Sequence, residues 1–515
     1  MEKTSLFLIL LLIVNISFSQ IGTVENYIKI SSTEGNFTGI LHDGDGFSEC
    51  ETIGDLDNDG YEDIVVGTKY NDDGGTEKGA VWILFLNEDR TVKSYQKISS
   101  LEGNFSGDLD VDDNFGSSVA AVGDIDNDGI TDIAVGARND DDGAYNSGAV
   151  WILFMNINGT VKSYQKISAT QGGLVGLTQN RLFGSSLCDL GDLNNDGTPD
   201  IAIGSPLYDD DGGLYRGCVW VLFLNNDGTV KAQQKINDYN GNFDVILEDR
   251  DRLGYGLSNI GDINNDNIND ITVCAINDDD GGTNVGAAYI LFLNTDGTVK
   301  SYQKISATQG NFNGNLNDDD RFGSTSAGIG DIDNDGINDI ALGSTNDDDG
   351  GTDKGAVWIL MLNNDGTVKE YQKISATQGS FNGDLDNDDR FGAFSHFKTG
   401  KKELIACAVY DDDGGTDRGA VWILDLESNY SSTEDLIFNH QNIKIFPIPA
   451  SDFINISSDN INDINAKYQI YDISGKKVST GIINNKIGIS ELYHGIYFIK
   501  IISQDNVFTK KFIKK

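Results

Sequence analysis

A nine-residue acidic segment recurs five times and carries the most specific chemistry in the sequence. The first copy reads Asp55-Leu56-Asp57-Asn58-Asp59-Gly60-Tyr61-Glu62-Asp63, and every copy has oxygen-bearing side chains at positions 1, 3, 5 and 9. Ca²⁺ takes roughly six to eight oxygen ligands, so these side chains, the backbone carbonyl at position 7 and water suffice for a site. The predicted ligands of up to five structural Ca²⁺ ions are Asp55, Asp57, Asp59, Tyr61 and Asp63; Asp124, Asp126, Asp128, Ile130 and Asp132; Asp192, Asn194, Asp196, Thr198 and Asp200; Asp262, Asn264, Asp266, Ile268 and Asp270; and Asp331, Asp333, Asp335, Ile337 and Asp339.

These loops are not EF-hands, because position 12, where an EF-hand needs Glu, is apolar in every copy, as at Val66. The alternative is a set of acidic turns that bind no metal. Against it, two carboxylates about 4 Å apart repel by about 4 kcal/mol at an effective dielectric constant of 20, so an empty loop would be strained. The fourth copy is the weakest, since Asn264 is neutral and Asn267 replaces the turn glycine.

The acidic segments belong to a longer repeat. The string Gly-Ala-Val-Trp-Ile-Leu or a variant begins at Gly79 and recurs at intervals of 69, 69, 69, 69 and 64 residues. Each unit also holds a Phe-Gly pair, a short apolar run after the acidic loop and a Tyr-Gln-Lys-Ile element. All four segments have the length and the Val, Ile, Phe and Trp content of β-strands. Asp-Gly turns between the third and fourth segments indicate hairpins.

The two ends of the repeat complement each other. The chain opens with a copy of the fourth strand, Val24 to Ile30, and the last unit stops after its third strand at Leu426. Pairing these ends completes a sixth sheet and removes an exposed edge. The sequence therefore predicts an all-β fold in which residues 20–428 form a six-bladed β-propeller. The tryptophan at one position of five of the units is assigned to the core between blades.

Strand parity separates two faces of this propeller. The turns after the first and third strands share one face, so the acidic loops lie opposite the longer connections. On that opposite rim, the second and third units place Tyr145, Tyr215 and Arg216, which we take as candidate ligand-binding residues. The alternative is drift of surface loops without function. The sixth unit lacks the acidic loop, and Lys398, Lys401 and Lys402 occupy the shortened region; we hypothesise that lysine ammonium groups there replace the missing cation.

The Phe-Gly pair, the Asp-x-Asp-x-Asp-Gly-x-x-Asp loop and the Val-Gly-Ala-like strand ending resemble FG-GAP repeats, the units of the integrin α-subunit propeller. The resemblance covers about Val24 to Leu426. It implies structural Ca²⁺ at the five loops and ligand binding on the opposite face. Integrin propellers have seven blades, so their partner geometry does not transfer to a chain with six units.

The two ends of the chain predict export. Residues 1–19 have the apolar core and small-residue ending of a signal peptide, and no later stretch is long and apolar enough to be a transmembrane segment. Residues 429–442 read as a linker, and 443–515 as a small Ig-like β-sandwich. Phe446-Pro447-Ile448-Pro449-Ala450 and Gly495-Ile496-Tyr497-Phe498 are similar to the type A sorting domain of the type IX secretion system of Bacteroidota. This similarity implies contact with that machinery, and secretion or display on the outer-membrane surface of such a bacterium.

The composition and the absence of a catalytic motif limit the classes of function that the sequence supports. With 81 Asp and Glu against 37 Lys and Arg, the net charge of −44 excludes nucleic-acid binding through phosphate neutralisation. The five cysteines have no metal spacing and indicate buried free thiols. No catalytic constellation emerges, so we predict a non-enzymatic, calcium-stabilised binding or adhesion module for an extracellular glycan or protein ligand. The alternatives are a carbohydrate-active enzyme, a glycoside hydrolase or lyase that uses carboxylates of the rim, and a structural component of a surface layer.

Overall fold

Short strands form all the regular structure of the described residues. The computed structural model describes residues 21–209, 213–396, 402–428, 444–446, 449–457, 467–472, 476–482, 486–503 and 506–515. The chain divides into two compact units, one of residues 20–429 and one that contains residues 430–515. No helix of the described residues is long and apolar enough to cross a membrane. The predicted signal peptide and the whole region 429–443 lie outside the described residues, so these boundaries stay predictions.

The first unit consists of six antiparallel sheets of four strands each. Five sheets follow chain order, and we number them as blades 1 to 5. The strands are β1 (Val24–Ile30); β2 (Phe47–Gly54), β3 (Asp63–Thr68), β4 (Ala80–Leu86) and β5 (Val92–Ile98) in blade 1; β6 (Phe115–Gly123), β7 (Asp132–Ala137), β8 (Ala149–Met155) and β9 (Val161–Ile167) in blade 2; β10 (Ser186–Gly191), β11 (Asp200–Ser205), β12 (Cys218–Leu224) and β13 (Val230–Ile236) in blade 3; β14 (Leu253–Gly261), β15 (Asp270–Ala275), β16 (Ala287–Leu293) and β17 (Val299–Ile305) in blade 4; β18 (Phe322–Gly330), β19 (Asp339–Ser344), β20 (Ala356–Leu362) and β21 (Val368–Ser375) in blade 5; and β22 (Phe391–His396), β23 (Glu403–Ala408) and β24 (Ala420–Leu426).

The sixth sheet joins the two ends of the repeat, as the sequence predicts. Strand β1 pairs antiparallel with β24, with Tyr27 opposite Leu424 and Ile30 opposite Val421, so blade 6 runs β1-β24-β23-β22. The first strands of successive blades contact each other around the unit, and β22 contacts β2. The sheets therefore form a closed ring, which is the arrangement of a β-propeller.

Aromatic side chains fill the space between blades. The five tryptophans of the repeat and Tyr289, their equivalent in blade 4, are at most 3% exposed. In blade 2, Trp151 meets Phe105 edge-on at 5.2 Å and Tyr164 at 5.4 Å. The Lys166 ammonium of the Tyr-Gln-Lys-Ile element lies 5.1 Å from the Trp151 ring and 2.7 Å from Asp140. The assignment of these rings to the core is confirmed, and all five cysteines are buried and form no disulfide among the described residues.

The second unit has two antiparallel sheets. One consists of β25 (Lys444–Phe446), β26 (Phe453–Ser457) and β29 (Lys486–Gly488), and the other of β28 (Lys477–Ile482), β27 (Lys467–Asp472), β30 (Gly495–Ser503) and β31 (Asn506–Lys514). Ile454 and Ile487 of the first sheet share one buried cluster with Ile470, Ile499 and Phe512 of the second. Two sheets that pack face to face agree with the predicted small sandwich.

Candidate functional site

Each acidic loop folds around the carboxylate at its first position. We number the loops 1 to 5 after their blades. In loop 1, the two Asp55 oxygens accept hydrogen bonds from the amides of Asp59 (2.9 Å) and Gly60 (2.8 Å). Gly60 has a φ of 98°, and the glycines at this position in loops 2, 3 and 5 have 90°, 93° and 91°. Asn267 of loop 4 takes 66°, so Asn also supplies the left-handed turn there.

The aspartate at position 9 joins its loop to the sheet. Asp63 accepts hydrogen bonds from the amides of Leu56 in the loop and Leu86 on β4, both at 3.0 Å. It is fully buried, as are its counterparts Asp200, Asp270 and Asp339, while Asp132 is 1% exposed. Burial raises the pKa of all five carboxyl groups to about 7. A bound divalent cation favours the ionised form of such a group.

Three loops bring three carboxylates to a common point. One oxygen from each of positions 1, 3 and 9 lies within 4.8 Å of the others in loops 1, 2 and 5, among the described residues. In loops 1 to 3 the side chain at position 3 also has a buried oxygen without a hydrogen-bond partner: Asp57 Oδ1, Asp126 Oδ1 and Asn194 Oδ1. A buried unpaired oxygen is costly, and a cation satisfies it. The donor set therefore fits a hard, oxygen-seeking cation.

Loop 4 differs from the other loops at this position. The Asn264 amide nitrogen donates to Asp270 Oδ2 at 3.3 Å, so a neutral hydrogen bond links positions 3 and 9. The side chain at position 3 of loop 5 is also hydrogen-bonded, since Asp333 Oδ1 accepts from the Asp335 backbone amide at 3.1 Å, but positions 3 and 9 of that loop are both carboxylates. The weaker donor set predicted for the fourth copy agrees with this geometry.

A lysine of the fourth strand lies against every acidic loop. Lys162 Nζ is 2.6 Å from Asp126 Oδ2 and 2.6 Å from Asp128 Oδ2. Lys93 and Lys369 likewise bridge positions 3 and 5 of their loops, whereas Lys231 and Lys300 pair with position 5 alone. In blade 6, which lacks the loop, the equivalent residue of β1 is Glu25. The ammonium group contacts the Oδ2 atom of Asp126, whereas Oδ1 is the buried oxygen without a hydrogen-bond partner.

In blade 6 a positive charge reaches the loop position from the neighbouring blade. Glu403, which begins β23 where the other blades have Asp, is buried and accepts from Arg90 Nη2 at 2.5 Å and Nε at 3.1 Å. Arg90 lies in the β4–β5 turn with a φ of 65°, where four other blades have glycine. Lys402 Nζ donates to the Asp331 carbonyl of loop 5. Lys398 and Lys401 lie outside the described residues, so that part of the lysine hypothesis stays a prediction.

The rim residues proposed from the sequence lie in different environments. The Tyr145 side chain is 64% exposed, while Tyr215 is partly buried and its amide is held by Asp209. The Arg216 guanidinium pairs with Asp238 at 2.9 Å and Asp249 at 3.1 Å. Tyr145 is thus available to a ligand, whereas Arg216 is engaged by two carboxylates.

A central cavity was not predicted from the sequence. It has a volume of about 530 Å³ and is lined by the first strands of all six blades. At the end that faces the longer connections, we define the channel mouth as Lys69, Tyr70, Arg138, Tyr255, Arg390 and Tyr410. A second cavity of about 250 Å³ shares Arg138 and Tyr255 with it and adds Arg252. Lys69 and Arg138 interrupt the repeat, and that irregularity was the available signal.

Family models match both units of the chain. The FG-GAP repeat model matches residues 52–84, 115–153, 183–222 and 322–360, which are parts of blades 1, 2, 3 and 5. This chain carries FG-GAP repeats. The secretion system C-terminal sorting domain model matches residues 444–515, the sandwich at the end of the chain. Both resemblances drawn from the sequence are confirmed.

Similar proteins match the repeats over part of their length. Integrin alpha-3 of Cricetulus griseus is 32% identical over 159 residues, which are 31% of this chain and 14% of that protein. Integrin alpha-6 of Homo sapiens is 33% identical over 170 residues, 32% of this chain and 13% of that protein. Phosphatidylinositol-glycan-specific phospholipase D of Bos taurus is 28% identical over 223 residues, 42% of this chain and 25% of that protein. The chain therefore spans a quarter or less of the length of these relatives.

Proposed function

We propose that this protein is an exported, calcium-stabilised binding module that recognises an extracellular glycan or protein ligand. The observation that carries the proposal is the separation of two kinds of loop on an FG-GAP propeller. The acidic loops are held by their own hydrogen bonds and by lysines, whereas the other face exposes Tyr145 and contributes the channel mouth to the lining of the central cavity. The sorting domain model at residues 444–515 supports export by type IX secretion, followed by release or attachment to the cell surface.

The cation role is part of this proposal. Ca²⁺ fits loops whose ligands are carboxylate and carbonyl oxygens and which contain no His or Cys. Loops 1 to 3 and 5 have the stronger donor sets, and loop 4 has the weaker one. Each ion would join the loop carboxylates to the buried aspartate at position 9, and so fix the turn between the first two strands of a blade.

Equilibrium dialysis of the full-length exported protein against Ca²⁺ tests the metal role. We expect up to five bound ions per chain, and one fewer in Asp126→Ala. Asp112→Ala, which removes an exposed aspartate outside the loops, is the matched control. A stoichiometry that Asp126→Ala leaves unchanged would exclude loop 2 as a site.

An array of glycans and extracellular proteins, with product analysis of every glycan, tests the binding role. We expect saturable binding without product formation, and weaker binding in a chelator. Release of products from a polysaccharide would favour a carbohydrate-active enzyme instead. Ordered two-dimensional assembly without a ligand would favour a component of a surface layer.

A further inference from the structure

We propose that the channel mouth binds an acidic sugar residue, with Arg138 as the group that recognises its carboxylate or sulfate. This inference rests on the proposed binding function and names the class of ligand. Three cationic side chains, Lys69, Arg138 and Arg390, line one end of a cavity in a chain whose net charge is −44. The acidic residues of the same lining are Glu49, Glu51 and Asp189, so the lining has equal numbers of basic and acidic residues in a chain that is otherwise strongly acidic.

Comparison of the blades shows that packing does not require the first two cations. Lys69 and Arg138 directly follow the second strands of blades 1 and 2. The equivalent residues of the other four blades are Pro206, Ile276, Thr345 and Val409. The other four blades form the same four-stranded sheet with a proline, an aliphatic residue or a threonine at this position. The sheet therefore does not require a positive charge there, and we infer that the charge serves another purpose.

The partners of the cations leave Arg138 available. Lys69 Nζ pairs with Glu49 at 2.8 Å, and the Arg390 guanidinium lies 5.2 Å from the Tyr410 ring and 3.9 Å from Asp353. Arg138 takes part in no ion pair with any residue that the structure describes, and its buried Nε has no hydrogen-bond partner. Further along the channel, the Glu51 carboxylate accepts from Ser395. Arg138 therefore offers a planar donor group that a carboxylate or sulfate matches.

The shape and the aromatic lining favour a sugar over an acidic peptide. The cavity of about 530 Å³ lies within the range of small-ligand sites and is enclosed by six strands, so it accepts one or two residues at a chain end. Tyr70, Tyr255 and Tyr410 line the same mouth and combine an apolar ring with a hydroxyl group. An extended peptide needs a groove or a sheet edge, whereas the first strands here lie inside the ring.

Calorimetric titration of the full-length protein, with Ca²⁺ present, tests the inference. The probes are oligogalacturonate, a sulfated oligosaccharide, the neutral cellohexaose and polyglutamate. We expect the acidic oligosaccharides to bind and cellohexaose not to bind. Because the high negative charge of the protein repels polyanions at long range, binding of an acidic sugar reports a specific site.

Substitution of the arginine separates this site from the rim. We expect Arg138→Gln to weaken binding of the acidic oligosaccharide by about 10- to 100-fold, and Arg138→Lys to restore part of the loss. Arg418→Gln, which removes an arginine that pairs with Asp43 and does not line the cavity, is the matched control and should leave binding within about twofold. An unchanged affinity in folded Arg138→Gln, or equal binding of cellohexaose, would overturn the inference.

Other outcomes distinguish the inference from the proposed function. Binding of polyglutamate without binding of either acidic oligosaccharide would overturn the sugar class. If none of the four probes binds while the array yields another ligand, the inference fails and the binding function stands. If neither experiment yields a ligand, both fail.

Discussion

Replacing Arg90 with glycine restores the residue that four other blades have in this turn, yet we expect the change to destabilise the propeller. In wild-type protein the Arg90 side chain is 9% exposed and makes two hydrogen bonds to Glu403, whose side chain is 2% exposed. Arg90→Gly leaves the Glu403 carboxylate buried without this cation. Breaking a buried ion pair by removing one partner costs about 3 to 5 kcal/mol.

The substitution also relieves backbone strain in the turn, which offsets part of this loss of stability. Arg90 has a φ of 65°, a conformation that glycine adopts without strain, and relief of a left-handed non-glycine residue is worth about 1 kcal/mol. The expected net loss in the free energy of unfolding is therefore about 2 to 4 kcal/mol. Neutralising the partner as well should recover most of it, so Arg90→Gly with Glu403→Gln should be more stable than Arg90→Gly alone.

Guanidinium unfolding at saturating Ca²⁺, followed by tryptophan fluorescence, measures these differences in a double-mutant cycle. Arg216→Gly, which removes an arginine from a more exposed pair, controls for the loss of a charge. If Arg90→Gly is as stable as wild type or more stable, the Arg90–Glu403 pair does not stabilise the junction of blades 6 and 1, and our account of how blade 6 manages without the loop is wrong.

Three further predictions concern blade 2. Burial, and then the nearby Asp140, raise the pKa of Asp113 from 3.8 to about 7. The folded state favours the protonated form of Asp113, so the folded protein loses stability as pH rises from about 4 to about 7. Asp113→Asn should remove up to about 4 kcal/mol of this loss of stability, because the amide does not ionise. Unfolding titrations in which the substitution changes stability equally at pH 5 and at pH 8 would contradict this. Lys162→Met leaves Asp126 and Asp128 without their ammonium partner. It should therefore lower the Tm of the chelator-treated protein and enlarge the rise in Tm on adding Ca²⁺. Scanning calorimetry that finds the same rise in Tm as in wild type would refute this prediction. Trp151→Ala opens a cavity between two blades and should cost about 3 to 5 kcal/mol in the same unfolding titrations, with the exposed Tyr145→Ala as the unaffected control.

The repeat made most of the fold predictable. Strand length, hairpin turns and a surplus strand at one end all indicated a closed ring of four-stranded sheets, and the pairing of β1 with β24 bears this out. The acidic loops were predictable for the same reason, because a ligand set at fixed spacing is a local property. Five copies of the same oxygen-bearing positions, each with a turn residue at position 6, are the basis for predicting five cation sites.

Other features of the site depended on which residues the ring brings together. Arg90 and Glu403 are 313 positions apart in the sequence, so their pairing could not be predicted, and the sequence pointed instead to lysines close to the missing loop. Arg216 looked available to a ligand, but two aspartates of the following connection take its guanidinium.

The sequence by itself determined the strands, the number of repeats, the acidic loops and the sorting tail, because each depends on residues within a few positions of one another. Only the tertiary structure decided which charges are neutralised and which stay available. Closure of the ring determines which residues surround Arg90 on one blade and Arg138 at the channel mouth. Whether a charged side chain is paired depends on those neighbours in space. The central cavity has the same origin, since it is lined by strands from all six blades and belongs to no single repeat.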